Sequence, residues 1–281
     1  MSEQRVALVT GASSGIGRET ALGLARQGWR VIAVARRRER LEELAAQEPN
    51  ILPRQVDLAD PEQVEAFAAW LAGQPQPVEV LINNAGYALR GAVEEVPPAD
   101  ARRLYEVNVF TPIRLIQACL PGMRDLARGR IVNLSSMSGR VVLPGNATYS
   151  SSKFALEGYS EGLRLELLET GIKVIVVRPG PVDTEFIAVS QAMTGDRLAQ
   201  PRSSYQQVYQ RLSALLLDLF GGKGSSSAGE VAAVILEAVN HPDPAPSYSV
   251  GPIAPEFLAL RARLDDAQLV EHFRRVMGIP D

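Results

Sequence analysis

Short apolar runs alternate with longer amphipathic segments along the first two thirds of the chain, and this alternation restricts the fold more than any other feature. The runs are apolar throughout rather than at every second residue, which is typical of strands buried on both faces of a sheet. Because each run is followed by a helical pattern, the strands are expected to be parallel and joined by crossover helices. The runs are Val6–Thr10, Val31–Ala35, Ile51–Asp57, Val78–Ile82, Ile131–Ser135 and Val174–Val177.

The segments between these runs predict helices over Ile16–Gln27 and Glu39–Gln47, from about Asp60, and near residues 100–127 and 149–170. Strict alternation of strand and helix predicts an α/β protein with a doubly wound parallel sheet, that is, a Rossmann fold. Near the end of the chain, a helical pattern near residues 228–239 is followed by the short run Tyr248–Val250 and by helical patterns around residues 255–264 and 266–277.

Regularity weakens after about residue 184, where the chain changes character. We predict a single domain over residues 1–281, in which about residues 1–184 bind the cofactor and carry the chemistry. Residues 185–227 are polar and predict a long irregular insert, which we interpret as a substrate lid rather than a disordered loop. A helical extension over about residues 250–281 has an apolar stripe typical of core packing. A pocket wall, an oligomer contact and a membrane-surface contact are the alternatives for this stripe of Phe257, Leu258, Leu260 and Leu264.

Composition limits the class of partner. The chain has 29 Lys and Arg against 32 Asp and Glu, so its net charge of −3 gives no reason to expect a nucleic acid. No apolar stretch reaches the roughly 20 residues that span a bilayer, and no signal peptide is recognisable. The single cysteine, Cys119, cannot form an internal disulfide, so a cytoplasmic location is expected. No metal site is predicted.

A glycine-rich turn with the spacing G-x-x-x-G-x-G joins the first predicted strand to the first predicted helix. Glycine lets a backbone approach a phosphate closely, and a helix N-terminus offers free N–H groups and a partial positive charge. We therefore interpret the turn as a dinucleotide-binding loop. The residues expected to contact the cofactor are Gly11, Ser13, Ser14, Gly15, Ile16 and Gly17.

The same turn also satisfies G-x-S-x-G, the pattern of the hydrolase nucleophile elbow. That interpretation requires an earlier strand–helix loop to form an oxyanion hole, and only ten residues precede Gly11. It also requires a histidine, and the two histidines, His241 and His272, both lie in the C-terminal segment. Dinucleotide binding is the better interpretation.

Three arginines follow the second predicted strand, at the position where dinucleotide-binding folds recognise the adenosine ribose. An acidic residue there binds the ribose 2′-hydroxyl of NAD, whereas an arginine accommodates the 2′-phosphate of NADP. The junction contains no acidic residue, so we predict NADP(H) as the cofactor. Arg36 is the first candidate for the phosphate and Arg37 the second, while Arg38 fits the solvated face of the next helix.

Tyr149 and Lys153 lie four residues apart in a predicted helix, which places both side chains on one face. A tyrosine in water has a pKa near 10, so forming its anion at pH 7 costs about 4 kcal/mol, and a nearby ammonium lowers that cost. Such a pair alone is more often a surface feature, and it gains significance from the motifs that accompany it.

Four motifs in order make the chain resemble the short-chain dehydrogenase/reductase family over about residues 5–185. Each motif is common by itself, but the four in this order and spacing are specific. They are Thr10–Gly17 for the TGxxxGxG loop, Asn83-Asn84-Ala85-Gly86 for NNAG, Tyr149 and Lys153 for YxxxK, and Pro179-Gly180 for the PG turn after the sixth strand.

The resemblance implies a role for each matching residue. Tyr149 would act as general acid/base, Lys153 would lower the pKa of Tyr149 and bind the nicotinamide ribose, and Ser136 would orient the substrate oxygen. Asn108 would complete a water-mediated proton relay. Ser136 and Tyr149 are thus the implied substrate contacts. The implied cofactor contacts, besides the glycine loop, the arginines, Tyr149 and Lys153, are Asp57, Leu58, Asn84, Ala85, Gly86, Pro179, Gly180, Val182 and Thr184.

The resemblance also implies the reaction: an NADP(H)-dependent oxidoreductase that transfers a hydride between nicotinamide and a carbonyl or secondary alcohol. The tail resembles members that act on hydrophobic ketones, aldehydes and alcohols, and the family suggests a homodimer or homotetramer. Ser14 stands where some NADP-using relatives carry a basic residue, so the phosphate would depend on Arg36 and Arg37. The alternatives are a non-catalytic NADP-binding sensor and a β-ketoacyl-thioester reductase.

Overall fold

The computed structural model describes residues 4–194, 203–220 and 224–280. The strands within these residues are β1 (Val6–Thr10), β2 (Arg30–Ala35), β3 (Ile51–Gln55), β4 (Val78–Asn83), β5 (Gly129–Leu134), β6 (Ile172–Pro179), β7 (Val182–Asp183), β8 (Ser226–Ser227) and β9 (Ser247–Val250). Seven of them form one parallel sheet in the order β3-β2-β1-β4-β5-β6-β9, and β7 pairs with β8 outside it. This confirms the predicted doubly wound sheet.

Helices connect the strands and cover both faces of the sheet. They are α1 (Gly15–Arg26), α2 (Arg38–Gln47), α3 (Pro61–Ala72), α4 (Pro98–Tyr105), α5 (Thr111–Asp125), α6 (Ala147–Glu166), α7 (Phe186–Thr194), α8 (Ser203–Phe220), α9 (Ala228–Asn240), α10 (Ala254–Arg263) and α11 (Asp266–Val276). The strand order reverses between β1 and β4, and in open α/β sheets such a reversal leaves a crevice at the carboxyl ends of the strands.

Two apolar layers hold the helices against the sheet. Alternate residues of β1 point to opposite layers: Ala7 and Val9 pack with α1 and α9, whereas Val6 and Leu8 pack with α3 and α5. A side chain of this size contributes about 1.5–3 kcal/mol when it is fully buried. Because β1 is buried on both faces, an interior position in the sheet is strongly favoured over an edge position.

Most predicted strands differ from the structure by one or two residues at an end, and two of these differences have identifiable reasons. The run Ile51–Asp57 leaves the sheet after Gln55, because the Asp57 carboxylate accepts a hydrogen bond from the backbone N–H of Ala59 at 3.1 Å and turns the chain. The sixth strand extends past Val174–Val177 to Pro179, because β9 pairs with its carboxyl end. Both differences lie at element ends.

The prediction of an irregular insert over residues 185–227 is wrong for its described part, which contains α7 and α8. Tyr205, Val208, Tyr209 and Leu212 follow the i, i+3, i+4, i+7 spacing of a helix, and the many Ser and Gln residues around them obscured it. Residues 195–202 and 221–223 of the insert lie outside the described residues.

The C-terminal helices α10 and α11 are confirmed and pack near the carboxyl end of the sheet. Ile253 and Phe257 lie in an apolar cluster with Met137, and Leu212 of α8 and Phe273 of α11 pack against it. Core packing is therefore the correct interpretation for Phe257, while the other residues of the stripe are only half-buried. No helix among the described residues is both long and apolar enough to cross a membrane.

Candidate active site

The glycine-rich loop is tied to the end of β4 at the point where the strand order reverses. The Thr10 hydroxyl oxygen accepts hydrogen bonds from the backbone N–H groups of Asn84 and Ala85, each at 3.0 Å. In return, the Asn84 side chain donates to the Thr10 carbonyl at 2.8 Å. These bonds hold the loop between β1 and α1 against the NNAG segment, at the crevice.

Close approach explains why two loop positions are glycine. Gly11 has a φ of +67°, and a Cβ there would lie 2.7 Å from Asn84 Nδ2. At Gly17 the corresponding distance would be 2.4 Å. At the start of α1, the Ser14 side chain does not cap the helix. The first N–H groups of α1 are therefore left for a ligand anion, which helix N-termini favour.

The two candidate phosphate ligands, Arg36 and Arg37, differ in the contacts of their guanidinium groups. Arg37 donates to the Ser13 and Ser14 hydroxyls, at 3.0 and 2.7 Å, and pairs with Glu185 at 2.7 Å. Arg40 also pairs with Glu185 at 2.6 Å, and the two arginines lower the pKa of that carboxyl to about 2. Arg36, by contrast, lines the crevice with a guanidinium that forms no hydrogen bond or ion pair with a described residue.

Arg38 points away from the crevice and pairs with Glu42 on the surface of α2 at 2.7 Å. This agrees with its interpretation as part of a solvated helix face. Asp57 and Leu58 lie at the other side of the same crevice, where Asp57 meets Arg103 at 3.4 Å. The crevice therefore holds three arginines and one aspartate around the space beyond β2.

Tyr149 and Lys153 lie in the first turns of α6, near the carboxyl ends of the strands, and both side chains are buried. The Lys153 ammonium lies 5.9 Å from the centre of the Tyr149 ring and donates to the Leu134 carbonyl at 2.8 Å. Ser136, directly after β5, lines the same cavity as Tyr149, and its hydroxyl lowers the pKa of that tyrosine. The three residues that the motifs assigned to the chemistry thus meet at one point.

Burial moves the pKa values of the two titratable groups in opposite directions. It raises the pKa of Tyr149 to about 12, against the lowering effects of the Ser136 hydrogen bond and the charge of Arg90. It lowers the pKa of Lys153 to about 8, against the raising effect of Glu157. At pH 7 the site therefore contains a neutral phenol that can donate a proton beside a lysine that is still charged.

Glu157, one helical turn after Lys153, was not identified from the sequence. Its buried carboxylate accepts two hydrogen bonds from Arg178 of β6, at 2.8 and 2.7 Å, and lies 3.3 Å from Arg140. Because these partners come from separate parts of the chain, no local spacing could have revealed the pair. A charged glutamate held here favours the charged form of Lys153.

Asn108 lies in a π-helical turn, Glu106–Phe110, between α4 and α5. Such turns are frequent at functional sites because they displace the backbone from regular helix geometry. The Asn108 amide donates to the Tyr87 carbonyl and the Ser152 hydroxyl, both at 3.1 Å, and accepts from the Tyr87 N–H at 3.2 Å. It thus holds the segment after NNAG against α6 from behind the site.

A cavity of about 630 Å³ connects the glycine loop to the Tyr149 site. Two of the predicted site residues do not line it: Asn108 is buried behind Gly86, and Gly17 packs against Asn84. The predicted residues that line it are Gly11, Ser13, Ser14, Gly15, Ile16, Arg36, Arg37, Asp57, Leu58, Asn84, Ala85, Gly86, Ser136, Tyr149, Lys153, Pro179, Gly180, Val182 and Thr184.

The far half of the cavity has an apolar wall that the sequence did not identify. Its residues come from α7, α8 and the loop before α6, so only the folded chain brings them together. Phe186 meets the Tyr149 ring edge-on at 6.0 Å between ring centres. The apolar residues of this wall are Leu143, Phe186, Val189, Met193 and Leu212.

Comparison with known proteins agrees with this geometry. The family model described as "short chain dehydrogenase" matches residues 5–194. The Bacillus subtilis (strain 168) protein named "Uncharacterized oxidoreductase YusZ" is 36% identical over 240 residues, which are 83% of this chain and 84% of YusZ.

Two solved structures extend the comparison. A short-chain dehydrogenase from Streptomyces avermitilis has a TM-score of 0.82 and 32% identity, with 100% of each chain covered. A short-chain dehydrogenase from Sphingobium yanoikuyae, in complex with NADPH, has a TM-score of 0.72 and 26% identity, covering 94% of this chain and 98% of its own. Sequence, fold and site agree, and the chain belongs to the short-chain dehydrogenase family, a family of oxidoreductases.

Proposed function

We propose that the protein is an NADP(H)-dependent reductase or dehydrogenase that interconverts a hydrophobic ketone or aldehyde and the corresponding alcohol. The observation that carries the proposal is the single cavity in which the glycine loop, the Tyr149–Lys153 pair and an apolar wall meet. The bound nicotinamide would supply or accept the hydride, and the protein would supply orientation and a proton.

The crevice fits a dinucleotide with a 2′-phosphate. Because the Ser14 side chain does not cap α1, the backbone N–H groups at the start of this helix are left for the pyrophosphate. No acidic residue directly follows β2, and the Arg36 guanidinium has no bonding partner among the described residues, so it is available for the phosphate. The NADPH-bound Sphingobium yanoikuyae neighbour supports this choice of cofactor.

Tyr149 would donate its proton to the substrate oxygen during reduction and recover it in the reverse direction. Ser136 lines the cavity together with Tyr149 and would orient the substrate oxygen. The charge of Lys153 favours the tyrosine anion that proton donation leaves behind. Asn108 supports this arrangement by holding the Tyr87 backbone against Ser152.

We propose that the whole chain acts as one domain, with α7 and α8 as the substrate lid. Helix α7 supplies Phe186, Val189 and Met193 to the cavity wall, and Tyr209 and Leu212 of α8 lie beside them. The C-terminal extension supports this lid from behind, because Leu212 packs against the cluster that contains Phe257. An apolar wall of this kind favours a hydrophobic substrate.

The test is the oxidation of NADPH in the presence of ketones and aldehydes that range from small and polar to steroid-sized. We expect turnover of the larger apolar compounds by the unchanged protein. Tyr149→Phe should lower kcat by about 10²- to 10⁴-fold, the usual contribution of a general acid, while NADPH still binds. Tyr159→Phe, an exposed tyrosine on the same helix, is the matched control.

Three results would contradict the proposal or one of its parts. Tight NADPH binding without turnover of any compound would favour the sensor, and loss of both binding and turnover in Tyr149→Phe would contradict the separate role given to this residue. A marked preference for acyl thioesters would favour the β-ketoacyl-thioester reductase instead.

We also propose that the protein is a cytoplasmic homo-oligomer. The single cysteine, Cys119, is buried and free, which supports a reducing compartment. Phe154 and Leu165 are exposed on one face of α6, at 41% and 63% of their surface, and Gly158 between them leaves open space. An exposed apolar helix face of this kind is typical of a protein interface.

A further inference from the structure

Arg90 is an unusual residue in the far half of the cavity. It lies four residues after the NNAG segment and lines the same cavity as Tyr149 and the apolar wall. The other charged side chains that line this cavity are Arg36, Arg37, Asp57, Arg103, Lys153 and Glu185. The Arg90 guanidinium is exposed and forms no hydrogen bond or ion pair with a described residue.

The backbone around Arg90 is held firmly. The Arg90 N–H donates to the Thr194 hydroxyl of α7 at 3.0 Å, and the Gly91 N–H donates to the Gly145 carbonyl at 2.9 Å. Two residues earlier, the Ala88 N–H donates to the Ser190 hydroxyl at 3.1 Å. A ligand therefore has to order only the side chain of Arg90, which lowers the entropic cost of binding.

The acidic side chain five residues further along the chain, Glu95, has other partners. The Glu95 carboxylate accepts a hydrogen bond from the Tyr209 hydroxyl at 2.6 Å and one from the Ala92 N–H at 3.3 Å. Arg90 acts instead on the reaction centre, because its charge is one of the two influences that lower the pKa of Tyr149. Its positive charge thus extends into the space where a substrate would lie.

Arg90 and Tyr149 share their cavity with apolar side chains. Val189 and Met193 of α7 and Leu143 of the loop before α6 also line it. A purely hydrophobic ligand would leave the cation without a partner. A ligand with an apolar body and one anionic end would satisfy both the wall and the cation.

We propose that Arg90 binds a carboxylate at the end of an apolar substrate, so that the substrate class is an oxo acid or the corresponding hydroxy acid. The inference rests on the proposed function, because it uses the same cavity and places the reacting carbonyl at Tyr149. A guanidinium can bind a carboxylate through two parallel hydrogen bonds, and the apolar wall partly shields this pair from water.

The test compares substrates that differ only in this charge: 4-acetylbenzoate with methyl 4-acetylbenzoate, and an aliphatic oxo acid such as 9-oxodecanoate with its methyl ester. We expect kcat/KM to be about tenfold or more higher for one acid than for its ester, mainly through KM, as expected for a charge-assisted contact. The two pairs differ in length and identify the separation of carbonyl and carboxylate that fits.

Arg90→Ala should reduce the acid-to-ester ratio to about one, and Arg90→Lys should preserve part of it because the charge remains. Arg102→Ala is the matched control, since it removes an exposed arginine of α4 that does not line the cavity. Equal kcat/KM for acid and ester in the unchanged protein, or an acid preference that survives in Arg90→Ala, would overturn the inference.

A binding measurement separates this inference from the proposed reaction. Calorimetric titration of the NADPH-loaded protein with decanoate and with decanol should show tighter binding of decanoate, and Arg90→Ala should remove the difference. If ketones are reduced but decanoate binds no better than decanol, the reaction stands and the Arg90 site is wrong. If no ketone is reduced but decanoate binding depends on Arg90, the site stands and the proposed reaction fails.

Discussion

Lys153 is held in its charged form by a residue that lies outside the family motifs. Burial lowers its pKa to about 8, and the negative charge of Glu157 raises it. Arg178 of β6 in turn holds the Glu157 carboxylate through two hydrogen bonds. The reaction centre is therefore connected to the carboxyl end of β6 through the buried Glu157 carboxylate.

We expect Glu157→Gln to move the alkaline loss of reductase activity to lower pH. Lys153 is charged below its pKa and loses its charge as the pH rises through it. Without the Glu157 charge that pKa falls further, so activity is lost earlier as the pH rises. The measurement is a pH profile of kcat.

Glu161→Gln is the control for this prediction, because Glu161 lies one turn further along α6 with a side chain 64% exposed. Thermal unfolding of both variants shows whether the unpaired Arg178 has destabilised the fold. An unchanged pH profile in a folded Glu157→Gln protein would show that Glu157 has only a structural role.

Arg36→Ala should narrow the preference for NADPH over NADH by about tenfold or more, the usual contribution of a charge-assisted contact. The Arg36 guanidinium has no hydrogen bond or ion pair within the described part of the chain, whereas Arg37 is already bonded to Ser13, Ser14 and Glu185. The measurement is kcat/KM for the two cofactors. Arg38→Ala, which removes a surface arginine paired with Glu42, should leave the preference unchanged. An unchanged preference in Arg36→Ala would transfer the role to Arg37.

Sequence motifs and structure agree best for single residues whose partners are close along the chain. The Tyr149–Lys153 spacing and the glycine loop were recognisable because a helix turn and a tight turn fix their geometry locally. The ion pair of Arg178 and Glu157 was not recognisable from the sequence, because the two residues are 21 positions apart and meet only after β6 and α6 pack together. Likewise, the surroundings of Arg90 form only when α7 packs beside it in the folded chain.

At the scale of elements, the Tyr209 side chain attaches α8 to the loop after NNAG. The Tyr209 hydroxyl donates to Glu95 at 2.6 Å and accepts from the Ala92 N–H, and the Tyr209 ring packs over Gly145. A Cβ at Gly145 would lie 2.9 Å from that ring, and the residue has a φ of +68°. The lid helix thus depends on a tyrosine and on a glycine that fits beneath it.

Tyr209→Phe should loosen α8 without unfolding the sheet. Loss of the hydroxyl removes hydrogen bonds that each contribute about 0.5–1.5 kcal/mol. We expect several-fold faster amide hydrogen exchange in α8 and a higher KM for large substrates. Gln206→Ala, at an exposed position of the same helix, should change neither. Unaltered exchange in Tyr209→Phe would mean that apolar packing alone holds the helix.

The strands and helices of the core were predictable because apolar periodicity and burial on both sheet faces act together. The lid helices were not, because the apolar spacing of α8 lies within a stretch rich in Ser and Gln. Strand ends were shifted where a local side-chain bond, as at Asp57, removes the chain from the sheet. Periodicity therefore identifies an element more reliably than it locates its ends.

At the scale of the whole molecule, the doubly wound parallel sheet is the most predictable property and self-association is the least. Alternation of strand and helix predicts such a sheet, and the folded chain gives it the order β3-β2-β1-β4-β5-β6-β9. An exposed apolar face, by contrast, gives no information about the number of subunits that share it. That question requires a measurement.

We expect the unchanged protein to elute as an oligomer in size-exclusion chromatography with light scattering. Phe154→Glu combined with Leu165→Glu should shift it toward the monomer, because two carboxylates would then be buried at an apolar interface. Val93→Glu is the control, as Val93 is 72% exposed and lies away from α6. A monomeric unchanged protein, or a double variant that stays assembled, would exclude this face as the interface.

The bridge of Glu185 to Arg37 and Arg40 lies at the base of α7, between the nucleotide crevice and the apolar half of the cavity. A phosphate that recruits Arg37 withdraws one of the two cations that fasten this helix. The nucleotide crevice and the base of α7 therefore share one ion-pair cluster, and an anion bound at Arg37 would weaken the attachment of this helix.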